Sequence, residues 1–222
     1  MSYINYAIRF MQEGGAYMYV ILAVFLLGLA IAAERWIYLQ KAKLGNRKTW
    51  DDVFPLVRKG DFIAATKAAS ASATSVGNMI SFGLSSMMTA QGQHDRRLLP
   101  AVEMAMEESL MEAMPRLEKR TSYLALLANV ATLLGLLGTI VGLIDAFSAV
   151  SAADPAEKGA LLSSSISVAM NTTAFGLIAA IPLMLLHSLL MNKTTEIVDS
   201  LEMAAVKIVN VIRQPDANGA AQ

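Results

Sequence analysis

Apolar residues run without interruption from position 16 to 33, AYMYVILAVFLLGLAIAA, and Glu34-Arg35-Trp36 close the run with two charges and an aromatic. At about 1.5 Å per residue, that run matches the thickness of a bilayer core. A secretion signal would have a basic start, a shorter apolar stretch and a small-residue cleavage site. The Glu-Arg-Trp that follows here instead predicts an uncleaved span over 15–38. Ahead of it, Ile4, Ala7, Ile8 and Met11 share one helical stripe, which predicts a helix over 1–14 lying in the membrane interface. Two further apolar runs predict spans at 121–150 and 161–191. The short polar turn between them, 151–160, contains Asp154-Pro155 and makes the two spans an antiparallel hairpin.

Between the first and second spans the pattern is helical but less apolar. Short helices are predicted over 50–59, ended by Gly60, over 62–71 with Asp61 as N-cap, and over 76–90. After Pro100, VEMAMEESLMEAMPRLEKR reads as an acidic amphipathic helix. It runs into the second span with Pro115 as its one breaker and expected kink. Glu103, Glu107, Glu108 and Glu112 form its solvated face. Beyond the third span, Ile197, Leu201, Ala204, Ile208 and Val211 recur at three- and four-residue spacing, predicting a helix over 192–214 before a disordered tail at 215–222. The expected fold is all-α: a polytopic membrane protein with three transmembrane helices, of which the second and third extend far beyond the membrane.

Composition agrees, with 55% hydrophobic and 16% charged residues in 222 and a mean hydropathy of +0.48. The 18 basic residues balance 18 acidic ones, so no basic surplus points to nucleic acid. Position matters more than the total. Sixteen of the Lys and Arg residues lie in 35–120 or after Met191, against only Arg9 and Lys158 elsewhere. The positive-inside tendency therefore puts 39–120 and the C-terminus in the cytoplasm, and the N-terminus and the Asp154 turn in the periplasm. Cysteine is absent and His94 and His187 are the only histidines. That removes thiolate chemistry and leaves any zinc site dependent on carboxylates, so no metal or cofactor is expected. No phosphate loop, nucleophile elbow or acid/base pair points to an enzyme.

Within the hairpin, small and polar residues segregate. On a helical wheel Thr132, Gly135, Gly138, Thr139, Gly142 and Asp145 share one arc of the second span, and Leu133, Leu136, Leu137, Ile140, Leu143 and Ile144 lie elsewhere. Gly138 and Gly142 form a small-xxx-small pair suited to close helix approach. The third span carries Ser163, Ser164, Ser165, Ser167, Asn171, Thr172 and Thr173 ahead of Gly176 and Pro182, too many polar groups for a lipid-facing helix. Thr139 and Thr173 are equidistant from the turn and so are expected at one depth. Paired hydroxyls there can line a pore and relay or ligate a small cation, whereas an ionisable group is present only as Asp145, near the outer end. The central carboxylate of any ion path would then come from another chain.

GLLGTIVGLI at 135–144 with Phe147 after it, and TAFGLIAAIP at 173–182, resemble the second- and third-span motifs of the MotA/TolQ/ExbB proton-channel family. Three spans favour its ExbB/TolQ branch over the flagellar stators. The resemblance implies a ring of five copies around an ExbD/TolR-like single-span partner whose aspartate carries the ion, and a TonB- or TolA-like protein that receives the work at the outer membrane. It implies an inner-membrane location and H+ or Na+ as the transported ion. Thr139 and Thr173 match the family's pore-lining threonines, and Gly138, Gly176 and Pro182 its structural positions. Where ExbB proteins often carry a glutamate, five residues before the third-span threonine, this chain has Val168, which leaves room for sodium. Asp145 stands where relatives often carry Asn or His. Two functions are thus weighed: an ion-conducting energiser, and a membrane scaffold whose small residues only pack helices.

Overall fold

A computed structural model describes residues 15–90, 98–152 and 154–213. The helix expected over 1–14 and the tail expected over 215–222 lie outside the described residues. Those described form an all-α fold: α1 Ala16–Arg58, α2 Phe62–Ala71, α3 Ser75–Ala90, α4 Leu98–Glu118, α5 Ser122–Ala152 and α6 Lys158–Arg213. Three stretches, in α1, α5 and α6, are long and apolar enough to cross a membrane.

Two boundaries differ from expectation. The helix expected to begin at residue 50 is the end of α1, which continues unbroken for 43 residues. No breaker interrupts it after Trp36 except Pro55, close enough to the end that the helix survives the lost bond. The segment before the second span, by contrast, does not join it. Pro115 lies inside α4, and its carbonyl still accepts from the Lys119 N–H at 3.0 Å. The break falls at Arg120, whose φ of 66° puts it in the left-handed region, ending one helix before Tyr123 and Leu124 donate to the carbonyls of Arg120 and Thr121. The continuous long helices are therefore α1 and α6, and the second span's extension is a separate helix.

The chain divides into two compact units. The first comprises α1 up to Arg35, Arg120–Leu190 and hence all of α5 and the first part of α6. Its core is built from small residues, Ala128, Ala131, Ala146, Ala169 and Ala179, with Met18, Ile21, Leu124 and Leu183 fully buried. Gly28 lets α1 meet α6: a Cβ there would lie 2.5 Å from Leu183 Cδ2. Arg120 pairs with Glu34 at 3.4 Å. The outer faces stay apolar and exposed, among them Leu133, Leu136, Leu137, Ile140 and Ile144, which lie off the small and polar arc of α5.

The second unit comprises Trp36–Lys119 and the chain from Met191 onward. Gly60, at φ 78°, ends α1: its N–H donates to Val57 O and that of Asp61 to Leu56 O, a Schellman closure that glycine permits without a Cβ clash. Asp61 then caps α2, accepting from Ala64 N at 3.0 Å. The first turn of α3 is capped twice, because Thr74 Oγ1 accepts from Gly77 N at 3.1 Å and Asn46 Oδ1, from α1, accepts from Val76 N at 3.2 Å. Thr74 also donates to Thr49 Oγ1 at 3.0 Å. Met79, Ile80, Leu84, Val102, Met106 and Leu117 form the core, joined by the α6 stripe Ile197, Leu201, Ala204 and Ile208; Val211 is half-buried. The four glutamates of α4 expected on a solvated face, Glu103, Glu107, Glu108 and Glu112, are all exposed, with Glu103 paired to Arg213 at 3.4 Å and Glu112 to Arg116 at 2.5 Å.

Candidate functional site

The hairpin of α5 and α6 closes where glycine meets glycine. A Cβ on Gly176 would sit 2.8 Å from Ala131 O and 3.0 Å from Gly135 Cα, both backbone atoms that cannot step aside. A Cβ on Gly135 would meet Thr172 O and Thr173 Cα at 3.3 Å, and one on Gly142 would touch Ala169 Cβ at 3.0 Å. Gly138 lies under the Thr172 methyl group and beside Tyr17 of α1. The small face is thus a contact face, and the absent side chains let the two backbones approach closely enough for polar groups of one helix to reach carbonyls of the other.

That approach assembles four oxygens. Thr139 Oγ1 and Thr173 Oγ1 are hydrogen-bonded to each other. Thr173 donates to Gly135 O across the helix pair at 2.9 Å, and Thr139 lies 3.2 Å from Gly135 O in its own helix and 3.3 Å from Ala169 O in the other. Two hydroxyls carry two protons, whereas the cluster offers two carbonyls and the hydroxyl oxygens themselves as acceptors, so lone pairs exceed protons. Such a cluster can rotate its hydroxyls to pass a proton on or turn its lone pairs to a small cation. It has no formal charge of its own.

The other candidates divide around this centre. Thr132 is exposed, two turns along α5 on the same face, and donates to Ala128 O at 3.1 Å. Thr172 is buried and donates to Val168 O at 3.0 Å, serving the Gly138 contact. Asn171 is half-buried and Asp145 is exposed; neither hydrogen-bonds to the threonine pair. Asp145 is thus on the rim of the small arc, with Ala146 taking the buried position beside it. Pro182 is half-buried within an unbroken α6 and precedes Leu183, the side chain that fills the space over Gly28. Sequence reasoning missed the part played by the main chain: nothing in a pattern of side chains indicated that Gly135 and Ala169 would supply carbonyl acceptors, although the glycine spacing was the signal that a backbone would be reachable. It also missed the Asn46, Thr49 and Thr74 cluster, visible only as polar residues three apart on α1.

No curated protein matches the chain. A family model, described as the MotA/TolQ/ExbB proton channel family, matches residues 71–203, a stretch that holds the glycine crossing and both threonines and exceeds half of the 222 residues. With three apolar helices in a multi-pass arrangement and a charge-free hydroxyl cluster where two of them meet, the chain belongs to the MotA/TolQ/ExbB proton channel family.

Proposed function

We propose that the chain is the stator subunit of an ion-driven motor of the ExbB/TolQ branch, an inner-membrane energiser that couples a proton or sodium gradient to TonB- or Tol-type work at the outer membrane. The observation that carries this reading is the Thr139–Thr173 oxygen cluster, which offers acceptors and rotatable protons yet has no carboxylate within hydrogen-bond reach among the described residues. Ion movement through a low-dielectric span needs a charged partner for the ion, and an aspartate on an ExbD/TolR-like single-span helix, encircled by five copies of this chain, supplies it. A TonB- or TolA-like protein then takes up the work. Thr132 extends the hydroxyl line along α5, and exposed Asp145 attracts cations to the periplasmic entrance. The basic residues of 35–120 support a cytoplasmic side for that segment. Val168 in place of a carboxylate favours oxygen ligation of sodium as the second possible cargo.

The test is ion flux in liposomes containing the chain and its single-span partner. Sodium-only and proton-only gradients separate the two ions. Thr139→Val and Thr173→Val keep side-chain shape and remove the hydroxyl, so flux is expected to fall at least tenfold while the complex still assembles. Wild-type flux in both variants would reduce the threonines to packing residues and favour a scaffold.

A further inference from the structure

Three contacts within the second unit set α1 and α6 side by side and parallel. Lys193 Nζ lies 3.5 Å from the ring centroid of Trp36, Lys43 pairs with Glu196 at 2.5 Å, and Lys207 Nζ lies 5.9 Å from the ring centroid of Trp50. The partners differ by 157, 153 and 157 positions, so an α1 residue is level with the α6 residue about 155 further on. Lys41, Leu44 and Lys48 of α1 are all exposed, Leu44 by 67%. At 100° per residue they share an arc of about 60°, centred about 130° round the helix from the residues that meet α6. On α6, Asp199, Glu202 and Val206 are likewise exposed and share an arc of about 60°, centred about 115° from the residues that meet α1. Both stripes therefore face away from the seam between their own two helices.

The two stripes are complementary at matched height. Lys48 is level with Glu202 to within about 2 Å and Lys41 with Asp199 to within about 5 Å, with Leu44 between them. Asp51 and Asp52, next along α1, come level with Val206 and not with an acid. Lys41, Lys48, Asp199 and Glu202 belong to none of the ion pairs formed among the described residues. Copies that share a bilayer and a topology are related by rotation about its normal, which preserves height. The lysine stripe of one copy thus meets the carboxylate stripe of the next in register, without a shift of either helix. Exposed ion pairs are individually weak, so the matched charges set register and partner more than affinity.

We infer that a second copy of this chain docks here, the Lys41–Leu44–Lys48 stripe of one α1 against the Asp199–Glu202 stripe of the neighbouring α6. The contact is heterologous and repeats from copy to copy; it rests on the ring proposed above and names one of its seams. The chain has no cysteine, so introduced thiols report alone. The full chain carrying Leu44→Cys and Asp199→Cys, oxidised in nanodiscs, is expected to give a ladder of disulfide-linked copies. Asn210 is exposed on the same side of α6 but about 16 Å further along, so Leu44→Cys with Asn210→Cys is expected to link at least fivefold less. In the Leu44→Cys, Asp199→Cys background, Lys48→Glu or Glu202→Lys alone is expected to lower the ladder at least fivefold, and the two together to restore it. A missing ladder, equal linking of the Asn210 pair, or a combined reversal no better than either single one would overturn the assignment. Native mass spectrometry of the same samples separates the failures. An intact ring without the ladder puts the seam elsewhere and leaves the stator reading standing, whereas a monomer removes the ring itself.

Discussion

Gly176 and Thr173 show how much one atom decides at the hairpin crossing. Adding a methyl group at Gly176 drives it against Ala131 O and Gly135 Cα, and because these are main-chain atoms the helices themselves must part. Gly176→Ala is expected to destabilise the protein by about 1–3 kcal/mol, the usual range for overpacking a close contact, and to depress flux by separating the oxygens. Gly159, near the start of α6, has open space where its Cβ would go. Gly159→Ala should therefore be neutral or slightly stabilising through helix propensity, and thermal melting of the pair checks the contrast. The threonine substitutions differ in degree from Gly176→Ala: valine keeps the branching of threonine and removes hydrogen bonds worth about 0.6 kcal/mol each in a membrane, although its methyl must ease away from Gly135 O, which Thr173 Oγ1 meets at 2.9 Å. A loss of flux without a loss of melting temperature distinguishes a working hydroxyl from a packing one.

Helix ends settle where the chain turns. Thr74 caps α3 and receives support from Thr49, so Thr74→Ala is expected to cost about 1 kcal/mol, read as a lowered melting temperature. The interruption between α4 and α5 has two components of opposite effect: Arg120 holds a left-handed backbone that disfavours a side chain, and its guanidinium pairs with Glu34 while both remain about half exposed. Arg120→Gly relieves roughly 1 kcal/mol of strain and loses a surface pair worth under about 1 kcal/mol. Its stability should equal or slightly exceed wild type, whereas Arg120→Ala keeps the strain, loses the pair and should melt lower. A reversed order of the two would show that the backbone conformation at 120 is not what limits this junction. Of the element boundaries, the Asp61 cap and Gly60 stop were legible because they depend on neighbours in sequence. The break at Arg120 was not, because Pro115 carries the stronger local signal and yet its helix continues for one more turn, with the Lys119 N–H closing on the Pro115 carbonyl.

On the scale of the whole molecule, apolar surface is left over. Only 22% of the most apolar stretch of α1, and 28% of those in the second and third spans, is buried within the chain, so lipid or other subunits must cover the rest. In reconstituted vesicles the chain alone is expected to conduct little, because its oxygen cluster has no charge, and addition of a single-span partner with an intramembrane aspartate should raise flux by an order of magnitude or more. High flux from the chain alone would place the ion-carrying group within it, with Asp145 the first residue to replace.

Composition and the lengths of the apolar runs determined the class by themselves, because crossing a bilayer demands about 20 apolar residues wherever they occur and each span declares itself locally. The equal spacing of Thr139 and Thr173 from the turn likewise followed from helix rise alone. Which atoms those hydroxyls meet was decided only by tertiary structure. The distance between two helices depends on both faces at once, and at Gly135 and Gly176 it is the absence of side chains on each that brings a carbonyl of one helix to the hydroxyl of the other.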